Sequence, residues 1–221
     1  IVGAFREDDG QLVDVGAAYV YEQTSGTWDT PPQKLTSNDP QADEEFGLSV
    51  SISGDLAIVG TDSASLAYVF EKVGETWSQG LELIPSDDDP GVLEYNWVAI
   101  SDNLAIVGTP LVSQISQFSG GAYVFEKVDG TWNEVQLLTA SDSAIGDKLG
   151  WSVSISGDRA VVGTTKNDQN GEDSGASYVF EKVDGTWEEV TKLIARDGKP
   201  GDAFGYKVSI SEDYVAVGAV L

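Results

Sequence analysis

The chain has 221 residues, of which 37 are acidic and 12 basic, so its formal net charge at pH 7 is −25. This charge repels phosphate backbones and anionic bilayers, and the sequence has no apolar run long enough for a membrane span, so neither nucleic acid binding nor membrane insertion is expected. The sequence contains no cysteine, which excludes disulfides and thiolate chemistry, and no histidine, which removes the commonest general base and metal ligand.

One phrase of ten residues dominates the sequence. YVFEKVDGTW occurs at residues 123–132 and again at 178–187, and near copies occur at 19–28 and 68–77. The tryptophan that ends each copy recurs at spacings of 49, 55 and 55 residues. A fixed period in this range indicates a repeat architecture, in which each copy is one supersecondary unit that buries its faces against its neighbours.

Each unit contains four predicted strands, called A to D here in chain order. In the unit that starts at residue 149 they are LGWSVSIS, RAVVGT, GASYVFEKV and TWEEVTKLI. All four are rich in β-branched and aromatic residues and are bounded by Gly or Asp, and no segment has helical periodicity. Asp184-Gly185 predicts a two-residue hairpin turn between strands C and D. Four-stranded antiparallel units with a period of 50–55 residues predict an all-β fold, a β-propeller.

Two further motifs carry a resemblance to a known family. FGLSVSISGDLAIVG (46–60), LGWSVSISGDRAVVG (149–163) and FGYKVSISEDYVAVGA (204–219) place an FG-like pair before strand A and a Val-Gly pair at the end of strand B. The sequence resembles the FG-GAP repeat family of the integrin α-subunit propeller, and is closer to its secreted bacterial and algal branch. The resemblance implies a non-enzymatic extracellular or cell-surface module for adhesion or assembly. The integrin calcium loop lies between strands A and B, where this chain has only short turns, so those ligands are not carried over.

The whole chain, residues 1–221, is expected to be a single propeller region. Its predicted repeats are 1–56, 57–105, 106–160 and 161–215, with the start of a fifth at 216–221. The sequence begins and ends on strand B, so it holds five B strands against four copies of the other elements. We therefore expect an arc of a larger ring, with the remaining blades supplied by a longer parent chain or by another copy. The opening IVGAF, which lacks an initiator methionine, favours a mature product or a fragment.

A meander sends the A–B and C–D turns to one rim and the B–C loops and D-to-A crossings to the other. The second rim receives acidic segments, at residues 6–14, 37–45, 86–94, 141–147, 166–173 and 196–202. Clustered oxygen ligands suit Ca²⁺, which takes 6–8 of them. The candidate metal ligands are Asp8, Asp9 and Asp14 in one loop and Asp168, Asn170 and Asp173 in another. The alternative is that these residues are ordinary turn formers.

Other repeated residues favour structural roles. The tryptophans at 28, 77, 132 and 187 could be sugar platforms, but a position needed in every repeat favours packing between blades. Acidic residues of the crossings, at 142, 147, 197 and 202, are expected to accept hydrogen bonds from backbone N–H groups. The Glu-Lys pair after each YVF is expected to be a solvated pair of little energetic weight.

The favoured function is non-enzymatic: an extracellular binding, adhesion or assembly module that contacts a protein or glycan partner through its acidic, possible calcium-binding face. A carbohydrate-binding, lectin-like propeller is the alternative. A carboxylate-dependent glycoside hydrolase is less favoured, because the carboxylates recur once per repeat whereas a catalytic pair belongs to one site. A Ser-His-Asp triad is excluded by the absence of histidine.

Overall fold

The structure, a computed structural model, describes residues 1–28, 30–62, 67–78, 80–86, 96–113 and 115–220. The regular structure of these residues is entirely β-strand, as predicted, and none of them forms a helix that could cross a membrane. The strands in chain order are β1 (Val2–Ala4), β2 (Ala17–Val20), β3 (Gln23–Thr24), β4 (Thr27–Trp28), β5 (Gln33–Leu35), β6 (Ser49–Ser53), β7 (Leu56–Gly60), β8 (Ala67–Val73), β9 (Thr76–Trp77), β10 (Leu81–Leu83), β11 (Trp97–Ser101), β12 (Leu104–Thr109), β13 (Gly121–Val128), β14 (Thr131–Leu138), β15 (Ser152–Ser156), β16 (Arg159–Thr164), β17 (Ala176–Val183), β18 (Thr186–Leu193), β19 (Lys207–Ser211) and β20 (Tyr214–Gly218).

The strands form successive antiparallel meanders, which we call blades 1 to 5. Blades 3 and 4 are complete, with strand orders β11-β12-β13-β14 and β15-β16-β17-β18. Blade 2 has the order β6-β7-β8-β10, with β9 paired to the outer end of β8. Blade 1 contains β1-β2-β5 and the short ribbon β3-β4, and blade 5 contains β19-β20. The predicted order of strands A to D is therefore confirmed, and the sheets are those of β-propeller blades.

The turn chemistry agrees with the sequence. Asp184 and Gly185 have φ values of 50° and 87°, so both central residues of this hairpin lie in the left-handed region, as a type I′ turn requires. Asp129 and Gly130, at the same place in blade 3, have φ values of 49° and 82°. Asp and Gly are the residues that tolerate this conformation best, which explains why DG separates strands C and D.

A blade that lies between two others, such as blade 3, buries both faces against its neighbours. Ile106 and Val107 are consecutive in β12 and both are fully buried. Ile106 belongs to a cluster shared with blade 4, which contains Tyr178 and Phe180, whereas Val107 belongs to a cluster shared with blade 2. Because successive side chains of a strand point to opposite faces, a strand between two blades must be apolar at every position. This explains the continuous apolar character of LAIVG at 104–108 and of AVVG at 160–163.

The FG and VG motifs meet in one contact between consecutive blades. A Cβ added to Gly163, at the end of β16, would lie 2.2 Å from the carbonyl oxygen of Gly205, which belongs to the FG pair of blade 5. Gly108 makes the same approach to Gly150, also at 2.2 Å. Two backbones can come this close only where no side chain intervenes, so glycine is required. The partner of Gly60 is Asn96, so the degenerate second repeat keeps the contact without its FG pair.

The Glu-Lys pair of the repeated phrase does not behave as predicted, because it joins blades instead of lying free in solvent. Each lysine forms an ion pair with a glutamate of the preceding blade, and its own side chain is only 16–19% exposed. The three pairs are Lys72–Glu22 (2.6 Å), Lys127–Glu71 (2.7 Å) and Lys182–Glu126 (2.9 Å). Lysine stems lie along the apolar seam while the ammonium group stays at the surface.

Serine hydroxyls connect the inner strands of successive blades. Strand A is the edge of its sheet, so part of its backbone N–H groups lack a partner within the blade. Three serines of β6 accept from backbone N–H groups of blade 3: Ser49 from Val98 (3.1 Å), Ser51 from Ile100 (3.2 Å) and Ser53 from Asp102 (3.2 Å). Ser154 and Ser156 of blade 4 accept likewise from Ile210 and Glu212 of blade 5. The alternating serines of SVSIS therefore protect the edges of the inner strands.

Candidate functional site

The long B–C loops and the D-to-A crossings lie on one rim, as predicted. We call it the long-loop rim; its described residues are 5–16, 36–48, 61–62, 84–86, 96, 110–113, 115–120, 139–151, 165–175 and 194–206. The opposite rim, which we call the short-turn rim, consists of the A–B and C–D turns. In blade 4 the N–H group of Lys182, beside the C–D turn, donates to the carbonyl of Asp158 in the A–B turn. The crossing predicted at residues 86–94 lies outside the described residues, except for Ser86.

Backbone hydrogen bonds join each B–C loop to the crossing that follows it. In blade 4, the N–H groups of Gly201, Ala203 and Phe204 donate to the carbonyls of Glu172, Asp173 and Ser174, at 2.9–3.1 Å. The same three bonds join residues 117–119 to the crossing of blades 3 and 4, and residues 13–15 to the crossing of blades 1 and 2. The loops of this rim are thus fixed by main-chain pairing, which holds their side chains in place.

The candidate ligands of blade 4 lie in one loop and already have partners. Asp168 Oδ1 accepts the backbone N–H of Asp173 at 2.8 Å, and the carboxylate of Asp173 forms an ion pair with Lys166 at 2.6 Å. Asn170 directs its amide nitrogen to the carbonyl of Ala195 at 2.8 Å. An ion in this loop would have to replace Lys166 as the partner of Asp173.

The candidate loop of blade 1 is built in the same way. Asp8 Oδ1 accepts the backbone N–H of Asp14 at 3.0 Å, and Asp9 is paired with Leu12 through both backbone groups. Asp14 and Asp173 have φ values of 51° and 56°, so each closes its loop in the left-handed region. Within the described part of the chain, the acidic side chains form no group of three close enough to hold a metal ion. Calcium binding by either loop stays a prediction.

A polar cluster lies at the seam of blades 3 and 4, beside a cleft of about 400 Å³. Tyr178 Oη donates to Asp142 Oδ1 at 2.6 Å, and Lys192 Nζ donates to Asp142 Oδ2 at 2.7 Å and to Asn167 Oδ1 at 3.0 Å. In blade 1 the same positions hold Tyr19 and Lys34, and both contact Glu7. A tyrosine and a lysine of strands C and D therefore support an acidic or amide side chain at this rim in two blades.

The carboxyl groups of this cleft differ in proton affinity. Burial by itself raises the pKa of Asp142, but hydrogen bonds from Lys192 and Tyr178 outweigh it and hold that pKa below its usual value. The pKa of Asp147 is raised, chiefly by burial. Opposed shifts of this kind occur in acid–base pairs. Both carboxyl groups, however, already accept hydrogen bonds from groups within the protein. A second observation gives Asp147 a structural role.

That observation is a repeated hydrogen bond within the crossings. Asp147 accepts the backbone N–H of Ala144 at 3.0 Å, and Asp202 accepts that of Lys199 at 2.8 Å. Glu44 holds the same place in the first crossing and accepts from Gln41 at 3.2 Å. The prediction of backbone acceptance is confirmed for Asp147 and Asp202. Glu44 was not among the predicted residues, although its position two residues before the FG pair identifies it as the equivalent of Asp147 and Asp202.

The repeated tryptophans are mainly packing residues. Trp187 is 3% exposed and lies in the cluster of blades 3 and 4, and Trp77 and Trp132 pack against the clusters of the earlier seams. Trp28, in blade 1, is 59% exposed. Gln136 of blade 3 also binds both backbone groups of Trp187, at 2.8 and 2.9 Å. Packing between blades is thus the role of the tryptophan in three of the four copies.

Comparison with known proteins agrees with this architecture. A family model described as FG-GAP repeat matches residues 30–70, 132–180 and 187–221, more than half of the chain. No curated protein matches it. FG-GAP repeats build β-propellers that are often used in adhesion or binding, are typical of extracellular proteins and are generally non-enzymatic. The chain belongs to the FG-GAP repeat family.

Proposed function

We propose that this chain is a non-enzymatic binding module of an extracellular or secreted protein, and that it contacts its partner through the long-loop rim. The observation that carries the proposal is the main-chain pairing between each B–C loop and the next crossing. Loops on a rigid scaffold usually carry recognition, and here the loops themselves are held rigid. The short-turn rim offers only two-residue turns, which leave little surface for a partner.

The distribution of charge also favours the long-loop rim as the surface that contacts the partner. Exposed carboxylates of the long-loop rim include Asp9, Glu172 and Asp197, and the chain as a whole carries a net charge of −25. A basic or neutral partner is therefore favoured over an acidic one. Calcium is a finer part of the proposal, since a cation at the loops would reduce the repulsion between their carboxylates. Adhesion and assembly are both compatible with this surface.

The test compares two triple variants with the same change in net charge. One neutralises the long-loop rim (Asp9→Asn, Glu172→Gln, Asp197→Asn), and the other neutralises the short-turn rim (Asp55→Asn, Asp129→Asn, Asp184→Asn). Labelled wild-type chain is first applied to an array of basic peptides and glycans. Binding of both variants is then measured on those peptides and glycans that capture the wild type. We expect association of the long-loop variant with basic peptides to slow about tenfold at low salt. Equal effects of the two variants, or no capture by any feature, would contradict the proposal.

A further inference from the structure

The side chain after each FG pair is one that the repeat leaves free to vary. The residues at this position are Leu48 in blade 2, Trp151 in blade 4 and Tyr206 in blade 5, and blade 3 has no FG pair. Residues that pack in every seam, such as the glycine that precedes this position, stay the same in these blades. A residue that varies among constant ones is not required for packing between blades, so it is available for a specific contact. Trp151 and Tyr206 bring two aromatic rings together at the seam of blades 4 and 5.

These two rings line a cavity on the long-loop rim. Their centroids are 6.1 Å apart and their planes are tilted by 43°, so the rings are not stacked on one another. Both contribute to a cavity of about 250 Å³, and the ring of Tyr206 belongs to a side chain that is 38% exposed. Aromatic side chains of this kind offer large apolar contact area at small cost in conformational entropy.

Polar groups of both signs line the same cavity. The ion pair of Lys166 and Asp173 forms part of its wall, together with Lys148 and Thr165. The wall therefore supplies ammonium and hydroxyl donors and a carboxylate acceptor next to an aromatic surface. The side chains of Lys166 and Asp173 are 43% and 37% exposed, so a ligand can reach them.

The combination belongs to this seam and is not a product of the repeat. One blade earlier, Leu111 and Phe118 stand where Lys166 and Asp173 stand, and no ion pair can form between them. At the seam of blades 1 and 2 the charged residues Arg6 and Asp14 are present, but Leu48 replaces the aromatic ring. Among the described seams, only that of blades 4 and 5 joins an aromatic pair to an ion pair.

We propose that this cavity binds a pyranose sugar. A pyranose ring has an apolar C–H face that suits an aromatic side chain, and an edge of hydroxyl groups that both donate and accept hydrogen bonds. The ion pair meets the second requirement, since its ammonium group donates and its carboxylate accepts. An anionic ligand is disfavoured by Asp173 and by the net charge, and a purely apolar ligand would bury the ion pair without replacing its contacts with water.

The inference rests on the proposed function in placing recognition on the long-loop rim, and it names the chemistry recognised there. The probes are the methyl glycosides of glucose, galactose, mannose and N-acetylglucosamine. They are titrated against the whole chain by calorimetry and tryptophan fluorescence, in buffer that contains a calcium chelator. We expect at least one glycoside to bind, and Trp151→Ala and Tyr206→Ala to weaken it about tenfold or more. Tyr206→Phe, which keeps the ring, should retain binding.

Trp28→Ala is the matched control, because Trp28 is an exposed tryptophan in blade 1. It should leave the affinity unchanged, and thermal melting of each variant verifies its fold. If Trp151→Ala fails to fold, Tyr206→Ala decides, since its side chain is partly exposed. Absence of binding by all four glycosides, or equal loss in Trp28→Ala, overturns the sugar site. If the glycosides fail while the long-loop charge variant still loses its array partners, the proposed function stands and only this inference falls.

Discussion

Gly163→Ala tests the glycine contact between blades in isolation. The new Cβ would lie 2.2 Å from the carbonyl oxygen of Gly205 and 2.5 Å from Ser152 Oγ. Ordinary contact requires more than 3 Å, so blades 4 and 5 would have to separate by about 1 Å at this point. The obstacle is backbone and cannot rotate away. Gly205 is also fixed by its N–H, which donates to Gly218 C=O at 3.0 Å. Overpacking of this kind costs about 3 kcal/mol, at the upper end of its usual range.

Thermal unfolding measures the effect directly. For a chain of this size, about 3 kcal/mol corresponds to a fall in Tm of roughly 6–12 °C. Gly218→Ala is the matched control, because Gly218 ends strand B of blade 5 and its added Cβ would have Lys207 O as nearest neighbour, at 3.6 Å. Neither glycine has a φ in the left-handed region, so alanine fits both backbones. We expect the control to change stability by less than about 0.5 kcal/mol.

A second control shows that blade 5 contributes to the transition. Ile210 is 7% exposed and packs on Val161 and Val179 of blade 4, so Ile210→Ala should cost about 2 kcal/mol. If Ile210→Ala lowers Tm while Gly163→Ala and Gly218→Ala have equal Tm values, the steric argument for the FG–VG contact is refuted.

Three further predictions follow from contacts described above. A double-mutant cycle of Glu71→Ala and Lys127→Ala, measured by urea unfolding, should give a coupling of about 0.5 kcal/mol, because the pair is partly exposed. The stability lost in Asp142→Asn should be larger at pH 6 than at pH 3: a lowered folded pKa gives stability that is complete above the ordinary value of 3.8 and is lost as pH falls through the folded pKa. Calcium at tenfold excess over its Kd should stabilise the wild type by roughly 1.4 kcal/mol in thermal melts against chelator, and Asp168→Ala with Asp173→Ala should remove this gain.

Each of these has an outcome that counts against it. Coupling between Glu71 and its sequence neighbour Lys72 as large as that with Lys127 would mean that the pair does not join blades. For Asp147→Asn the dependence on pH should be reversed, because burial raises that pKa and the stabilising protonated form is lost as pH rises through the folded pKa. The same pH dependence of stability in Asp142→Asn and Asp147→Asn would contradict the opposed pKa shifts of the two carboxyl groups. Equal calcium shifts in wild type and the double variant, or none in either, would leave the 166–173 loop as ordinary turn chemistry.

The sequence was sufficient for the fold because the fold is repetitive. Strand order, the DG hairpins and the division into two rims follow from spacing, turn residues and the parity of a meander, and the structure confirms them. The buried pairs of consecutive residues, such as Ile106 and Val107, were also predictable, since a strand packed on both faces must be apolar throughout.

Contacts between blades were beyond what one repeat could show. The Glu-Lys pair was interpreted within its own strand, whereas its partner lies in the same phrase one period away, as for Glu71 and Lys127. The serines of SVSIS alternate along an edge strand, and this pattern alone does not show that their hydroxyls accept hydrogen bonds from the next blade. Local sequence gives the face of a side chain but not which copy of the repeat will meet it.

The candidate site was less accessible for a related reason. The metal candidates were chosen by residue type, and the structure gives Asp168 and Asp173 internal partners that the sequence does not reveal. The sequence does not pair Trp151 with Tyr206, because their neighbourhood depends on how two blades approach one another. Their significance comes from the comparison of equivalent positions, which requires the seams to be aligned in space.

The FG–VG contact has a consequence for how such chains change in length. The glycine that ends strand B presents one half of the joint on one side of each blade, and the FG pair presents the other half on the opposite side. Blades 2, 4 and 5 each carry both the FG pair and the glycine of strand B, so an inserted or deleted repeat of this kind can form the same contact with its new neighbours. Duplication of a whole period by recombination would need no compensating substitution at the seams. An insertion of any other length would move the FG pair away from the strand B glycine that it contacts.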